Sequence, residues 1–173
     1  MGYSIVVGEK SKNNCLDDMI NDAKEDSYEI YIDSIEYVAK PESLDTAPAF
    51  GEPTDNMNQR WPSYISWYAF IYSAGLNEIF FDDNDNLIGR HPGYIEITTE
   101  IYEDIKSKYI RFKMQNKGAI ASFEDEDFEK YDKISYIKNY KIPINNTLAR
   151  FEWLMFWLDY SMEKYESTII SNT

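Results

Sequence analysis

One cysteine and one histidine are present, and each scarcity removes a class of chemistry. With Cys15 alone the chain forms no internal disulfide and no cysteine-rich metal site, which fits a reducing compartment. With His91 alone it has no two-histidine metal spacing and no paired Cys and His; a Ser nucleophile elbow is missing too. Basic residues are also in short supply. There are 17 Lys and Arg against 31 Asp and Glu, a formal charge of -14 over 173 residues. A surface of that sign repels a phosphate backbone, so the sequence predicts no direct nucleic-acid binding. No apolar run is long enough to span a bilayer, so no membrane is expected as a partner. Gly8 stands alone after its strand, so the glycine-rich phosphate loop of nucleotide folds is missing. The apolar run Ser4 to Val7 is short and has no basic region before it, which predicts no signal peptide and a cytoplasmic location.

What the chain does have is rings. Aromatic residues make up 16% of it, including 15 Tyr and 4 Trp, too many for a disordered chain. The length suits one domain, residues 1–173, with a single core. The richest stretch is Leu148 to Tyr165. Phe151, Met155, Leu158, Met162 and Tyr165 recur at alternating steps of four and three, the repeat of one helix face. Trp153, Leu154, Phe156 and Trp157 widen the stripe until the middle turn is apolar nearly all round. Glu152 and Asp159 interrupt it. Such a helix must be covered on several sides, so it is expected to be the central pillar of the core. Asn146 is the expected N-cap, and capping also accounts for the glycosylation-like Asn145-Asn146-Thr147.

Other elements follow in chain order. Tyr3 to Val7 is a predicted strand that Gly8 ends. Asn13 to Lys24 has helical spacing. Tyr28 to Val38 alternates with the period of a half-buried strand. Lys40 to Pro62, with four prolines, predicts a long loop anchored by Phe50, Met57 and Trp61. Ser63 caps a helix that Gly75 stops. Tyr94 to Ile97 is a strand, and Thr98 caps a helix over Thr99 to Asn116 that ends before Gly118. Tyr136 to Ile144 reads as extended. The predicted class is α+β: one domain, a small mainly antiparallel sheet from the N-terminal half, and about three helices, the last central.

Arg60 and Arg90 are the strongest candidate binding groups. Each borders a proline-containing turn among Trp61, Tyr64, Trp67 and Tyr94, and a guanidinium can fork onto a phosphate while stacking on a ring. With His91 as a further donor, Arg60, Trp61, Tyr64, Arg90, His91 and Tyr94 form the expected ligand site for a small anionic molecule. The competing reading for each Arg is an ordinary ion pair with one of the many carboxylates. Arg150, on the last helix, is expected to meet a carboxylate in or near the core. A second candidate surface is the run Glu124, Asp125, Glu126 and Asp127, whose spaced carboxylates could imitate nucleic acid towards a basic protein. Asp82, Asn84 and Asn86 match the first ligand positions of a calcium loop, but Leu87 and Gly93 break the pattern. They are read as a polar turn, and no metal or cofactor is expected.

The chain resembles a family of small bacteriophage- and prophage-encoded proteins without an assigned activity. The resemblance runs through Met1-Gly2-Tyr3-Ser4-Ile5 with Gly8, then Pro62-Ser63-Tyr64 with Trp67 and Phe70. It continues in Gly75-Leu76 with Phe80-Phe81-Asp82, His91-Pro92-Gly93, and Thr147-Leu148-Ala149-Arg150 with Trp153-Leu154 and Phe156-Trp157. The acidic segment Ser122 to Lys133 departs from it. The resemblance implies a setting and not a chemistry; with the size, the acidity and the lack of catalytic motifs, that setting fits an accessory protein in the host cytoplasm that acts against host defence by non-catalytic binding. Sequestering a small nucleotide signal is the expected mechanism. The alternatives are an acidic inhibitor of a basic host protein and a virion or assembly component. An enzyme is the least supported class, and the sequence leaves the oligomeric state open.

Overall fold

The computed structural model describes residues 4–12, 37–49, 56–60, 64–81, 93–123 and 142–172. The strands are β1 (Ile5–Glu9), β2 (Ser11–Lys12), β3 (Tyr37–Val38), β4 (Gln59–Arg60), β5 (Gly93–Glu96) and β6 (Thr168–Asn172). The helices are α1 (Tyr64–Ser73), α2 (Asn77–Phe80), α3 (Thr99–Gln115) and α4 (Ile144–Lys164). The architecture is α+β. A four-stranded antiparallel sheet runs in the order β4-β1-β6-β5, and β2 and β3 form a separate ribbon.

Register decides which side chains share a face, because partners across an antiparallel pair point the same way. Arg60, Ile5, Asn172 and Gly93 form one row; Gln59, Val6, Ser171 and Tyr94 form the next. Ile5, Val7 and Ile170 therefore face inwards and join the main core with the helices. Val6 and Ile169 face the other way, where they meet Ala39 and Tyr94 in a second small cluster. The β2–β3 ribbon covers that side: Tyr37 sets its edge against Tyr94 at 6.0 Å between ring centroids.

The pillar forms as its sequence predicts. Phe151, Trp153, Leu154, Met155, Trp157 and Leu158 are all buried. Phe151 is the meeting point of three helices, with Phe70 of α1 at 5.5 Å and Tyr109 and Phe112 of α3 at 5.6 Å each. α1 is equally enclosed, with Trp67 to Ile71 buried in succession. Gly75, at φ +69°, stops it where a residue with a Cβ would be strained. Thr98 caps α3 by accepting from the Ile101 amide at 3.3 Å.

Several expectations are corrected. α4 begins a turn early, behind Pro143, so Asn146 lies inside the helix and is fully buried. Gly8 does not end β1 but sits within it. A Cβ there would meet Asn58 Nδ2 at 3.2 Å and the Ala39 Cβ at 3.5 Å. Asn58 needs that room: its amide donates to the carbonyls of Val7 (2.6 Å) and Lys40 (2.9 Å) and accepts from the Glu42 amide (2.7 Å). The Lys40 to Pro62 loop contains β4, an edge strand, and a Ser43–Met57 bridge. The largest correction is β6, which the sequence reading placed nowhere. It is a central strand, so the sheet is not built from the N-terminal half alone. The helix over Asn13 to Lys24, the strand before Tyr37, the Asp82 to Asn86 turn and the extended run before Ile142 fall outside the described residues.

Trp157 has no exposed surface, so Trp157→Ala should lower stability by roughly 3–5 kcal/mol, the usual cost of emptying a large aromatic site. Chemical denaturation checks this, and an unchanged midpoint would show that the site is not a core position.

Candidate functional site

The site begins with a buried charge on a short edge strand. Arg60 pairs with Ile5 and shares its inward face, and only 7% of it is exposed. Arg150 comes from the second turn of α4 and is 3% exposed. It lies on the same stripe as Trp153, Leu154 and Trp157, at steps of three, four and seven, so the packing of α4 carries it inwards. Its Nη2 donates to the Ser66 hydroxyl of α1 at 3.1 Å. Both guanidinium groups converge on one ring. The Cζ of Arg60 is 5.4 Å from the Phe123 centroid and that of Arg150 is 5.6 Å from it. Phe123 follows α3 and remains 41% exposed. The chain beside it is tied to the start of α4, where the Ser122 amide donates to the Asn145 carbonyl.

A guanidinium within about 6 Å of a ring centroid is attracted to the negative face of the ring. Two cations gathered at one buried place favour negative charge beside them. The corner is lined by strand, two helices and one half-open ring.

Of the residues expected to form the ligand site, Arg60 belongs to this corner and Tyr94 does not. β4 and β5 are opposite edges of the sheet, three strand spacings or roughly 14 Å apart. Tyr94 also points to the other face, against Val6, Ala39 and Ile169, with the Lys10 ammonium 5.0 Å from its ring centroid. A site holding Arg60 and Tyr94 together is excluded by this geometry. Tyr64 opens α1. Trp61, Arg90 and His91 lie outside the described residues, as do Glu124, Asp125, Glu126 and Asp127. The sequence reading did not join Phe123 or Arg150 to Arg60. The signal for Arg150 was its helical phase, since an arginine on the most buried stripe of a pillar must be met by designed partners.

Among the described residues the shifted lysines are held by tyrosine hydroxyls. Lys10, Lys106, Lys113 and Lys164 are all raised, chiefly by hydrogen bonds with Tyr94, Tyr102, Tyr109 and Tyr160 in turn. A raised ammonium holds its proton more firmly at neutral pH and is a poorer nucleophile. Among the described residues no group of His, Cys, Asp and Glu is arranged to hold a metal ion. No described helix is long and apolar enough to cross a membrane. No family model, curated protein or solved structure matches the chain.

One of these clusters has a structural role. Glu42 accepts from the Tyr165 hydroxyl at 2.6 Å and from Lys164 at 3.3 Å, fastening the end of α4 to the segment after β3. Burial first, and then the bond to Glu42, push the Tyr165 hydroxyl up to about 12 from 10.0. The folded state then keeps a proton that the unfolded state releases, so stability falls as pH rises through that window. The unfolding midpoint should drop between pH 10 and about 12, and Tyr165→Phe should flatten the drop. Thermal melts across the window check this, and parallel curves for the two proteins would show that the hydroxyl contributes nothing.

Proposed function

We propose that this protein is a non-catalytic binding protein for a small anionic ligand of the nucleotide class, held where Arg60 and Arg150 meet Phe123. The observation that carries this reading is the convergence of two buried guanidinium groups, from β4 and α4, on one half-exposed ring. Arginine forks suit phosphate oxygens, and they keep their charge at every physiological pH. The open part of the Phe123 ring offers a surface on which a base can stack. The phage-type resemblance supplies the setting: an accessory protein that lowers the free concentration of a host defence signal by holding it.

Calorimetry with inorganic phosphate, mononucleotides and cyclic dinucleotides tests the proposal. One ligand class should bind with a single site per chain. Each charged hydrogen bond contributes about 1.5–3 kcal/mol, so Arg60→Lys or Arg150→Lys, which lose the fork and keep the charge, should weaken binding by about tenfold or more. Phe123→Ala alters a half-exposed side chain and should weaken binding without unfolding the protein. Silence across the panel from a folded sample would overturn the reading. So would binding that survives all three substitutions.

A further inference from the structure

The cations of this acidic chain are unevenly placed. Residues 106–117 hold Lys106, Lys108, Arg111, Lys113 and Lys117 and no acidic residue, in a chain of net charge -14. Lys108 pairs with Asp104 one turn back, and Lys113 reaches Glu152 only at 3.6 Å. Arg111 and Lys117 have no ion pair among the described residues and are exposed. The exposed large apolar side chains gather in the same place. Ile110, Met114, Ile120 and Ile144 are 49%, 64%, 75% and 51% exposed, and the remaining one among the described residues is Phe123 nearby.

Lys113 and Lys117 share one surface with the exposed apolar side chains. Ile110, Lys113, Met114 and Lys117 follow the i, i+3, i+4, i+7 spacing of a single helical stripe running off the end of α3. Beside it lies a groove of about 270 Å³ between α3 and α4, with Phe112, Ala119 and Leu148 as its apolar lining and Lys113 and Lys117 among its polar residues. Ile120 adjoins Ala119, and Ile144 stands one turn before Leu148, so both extend the apolar surface outwards. The groove is smaller than a typical cofactor pocket and suits one or two aliphatic anchors of a partner. Arg111 and Lys108 flank a second hollow of about 250 Å³ on the other side of Phe112.

We infer that this face docks an acidic segment of a partner protein, one that presents carboxylates beside aliphatic side chains. Charge complementarity and the exposed aliphatic side chains together select that occupant. A nucleic acid would match the lysines and leave Ile110, Met114, Ile120 and Ile144 without apolar contacts, while the rest of the chain repelled it. A twofold contact with a second copy would set the same cations against each other. Lys113, Met114 and Lys117 belong to this surface and not to the Arg60–Arg150 corner, and the inference does not depend on that corner.

The test is titration of the isotope-labelled full chain with a synthetic amphipathic helical peptide of Glu and Leu, about sixteen residues long, followed by amide NMR. Shifts should map to residues 108–120 and to Ile144. Affinity should fall several-fold as salt rises from about 50 to about 300 mM. Met114→Asp should weaken binding by about tenfold with unchanged melting, since Met114 is exposed, and the double variant K113E/K117E should do so at temperatures where its melt shows it folded, because it also loses the Lys113 contacts with Tyr109 and Glu152. A Lys and Leu peptide should not bind. Shifts elsewhere, no shifts, or binding indifferent to K113E/K117E would overturn the inference. Preferential binding of an oligothymidylate at this face would make it a nucleic-acid surface instead. Concentration-dependent self-association abolished by Met114→Asp would make it a contact between copies.

Discussion

The structure depends on how Phe151 is enclosed. Its ring is fully buried and is met by one ring from α1 and two from α3, so three helices are registered against one another at a single side chain. Tilted and edge-on ring contacts are directional, unlike generic apolar burial, and they fix rotation as well as distance. Rotation matters here because Arg150 sits one residue before Phe151. The packing that drives Phe151 into the helix interface also fixes the phase of Arg150 towards Ser66 and Phe123.

The second constraint is the parity of the sheet. Arg60 is aimed inwards because it pairs with Ile5, and Tyr94 is aimed outwards because it pairs with Ser171. Both residues looked equivalent in the sequence, each near a proline and several rings. Their separation is set by pairing partners far away in the chain, which local spacing cannot report. The same reasoning explains what was legible. The pillar, the Thr98 cap and the Gly75 stop are local signals, since each needs only a few neighbouring residues. β6 was not legible, because Thr168 to Asn172 is a five-residue run directly after a helix, with no alternation to mark two faces. Gly8 was misread for a related reason. Its role is to admit Asn58, fifty positions later, and no nearby residue announces that.

Charge is handled in two ways. Among the described residues most carboxylates face water, where they cost little. Cations are placed where they do specific work: two are drawn into the interior beside Phe123, and five gather along the end of α3. A lysine on an acidic protein is most often neutralised by its neighbours. Arg111 and Lys117 have neighbours of like sign along α3, which leaves their charge available at the surface.

The place of β6 in the middle of the sheet bears on synthesis. β1 is made long before its main partner, the strand that reaches Asn172. Until β6 emerges from the ribosome, β1 and β5 have no strand between them, and the inward faces of Ile5, Val7 and Ile95 have no completed layer to join. Helices α1 and α3 can form earlier from local contacts, but the sheet closes only across a long sequence separation, a topology that slows folding. A nascent chain therefore exposes open strand edges until β6 follows, and a net negative charge helps keep such chains apart in the meantime.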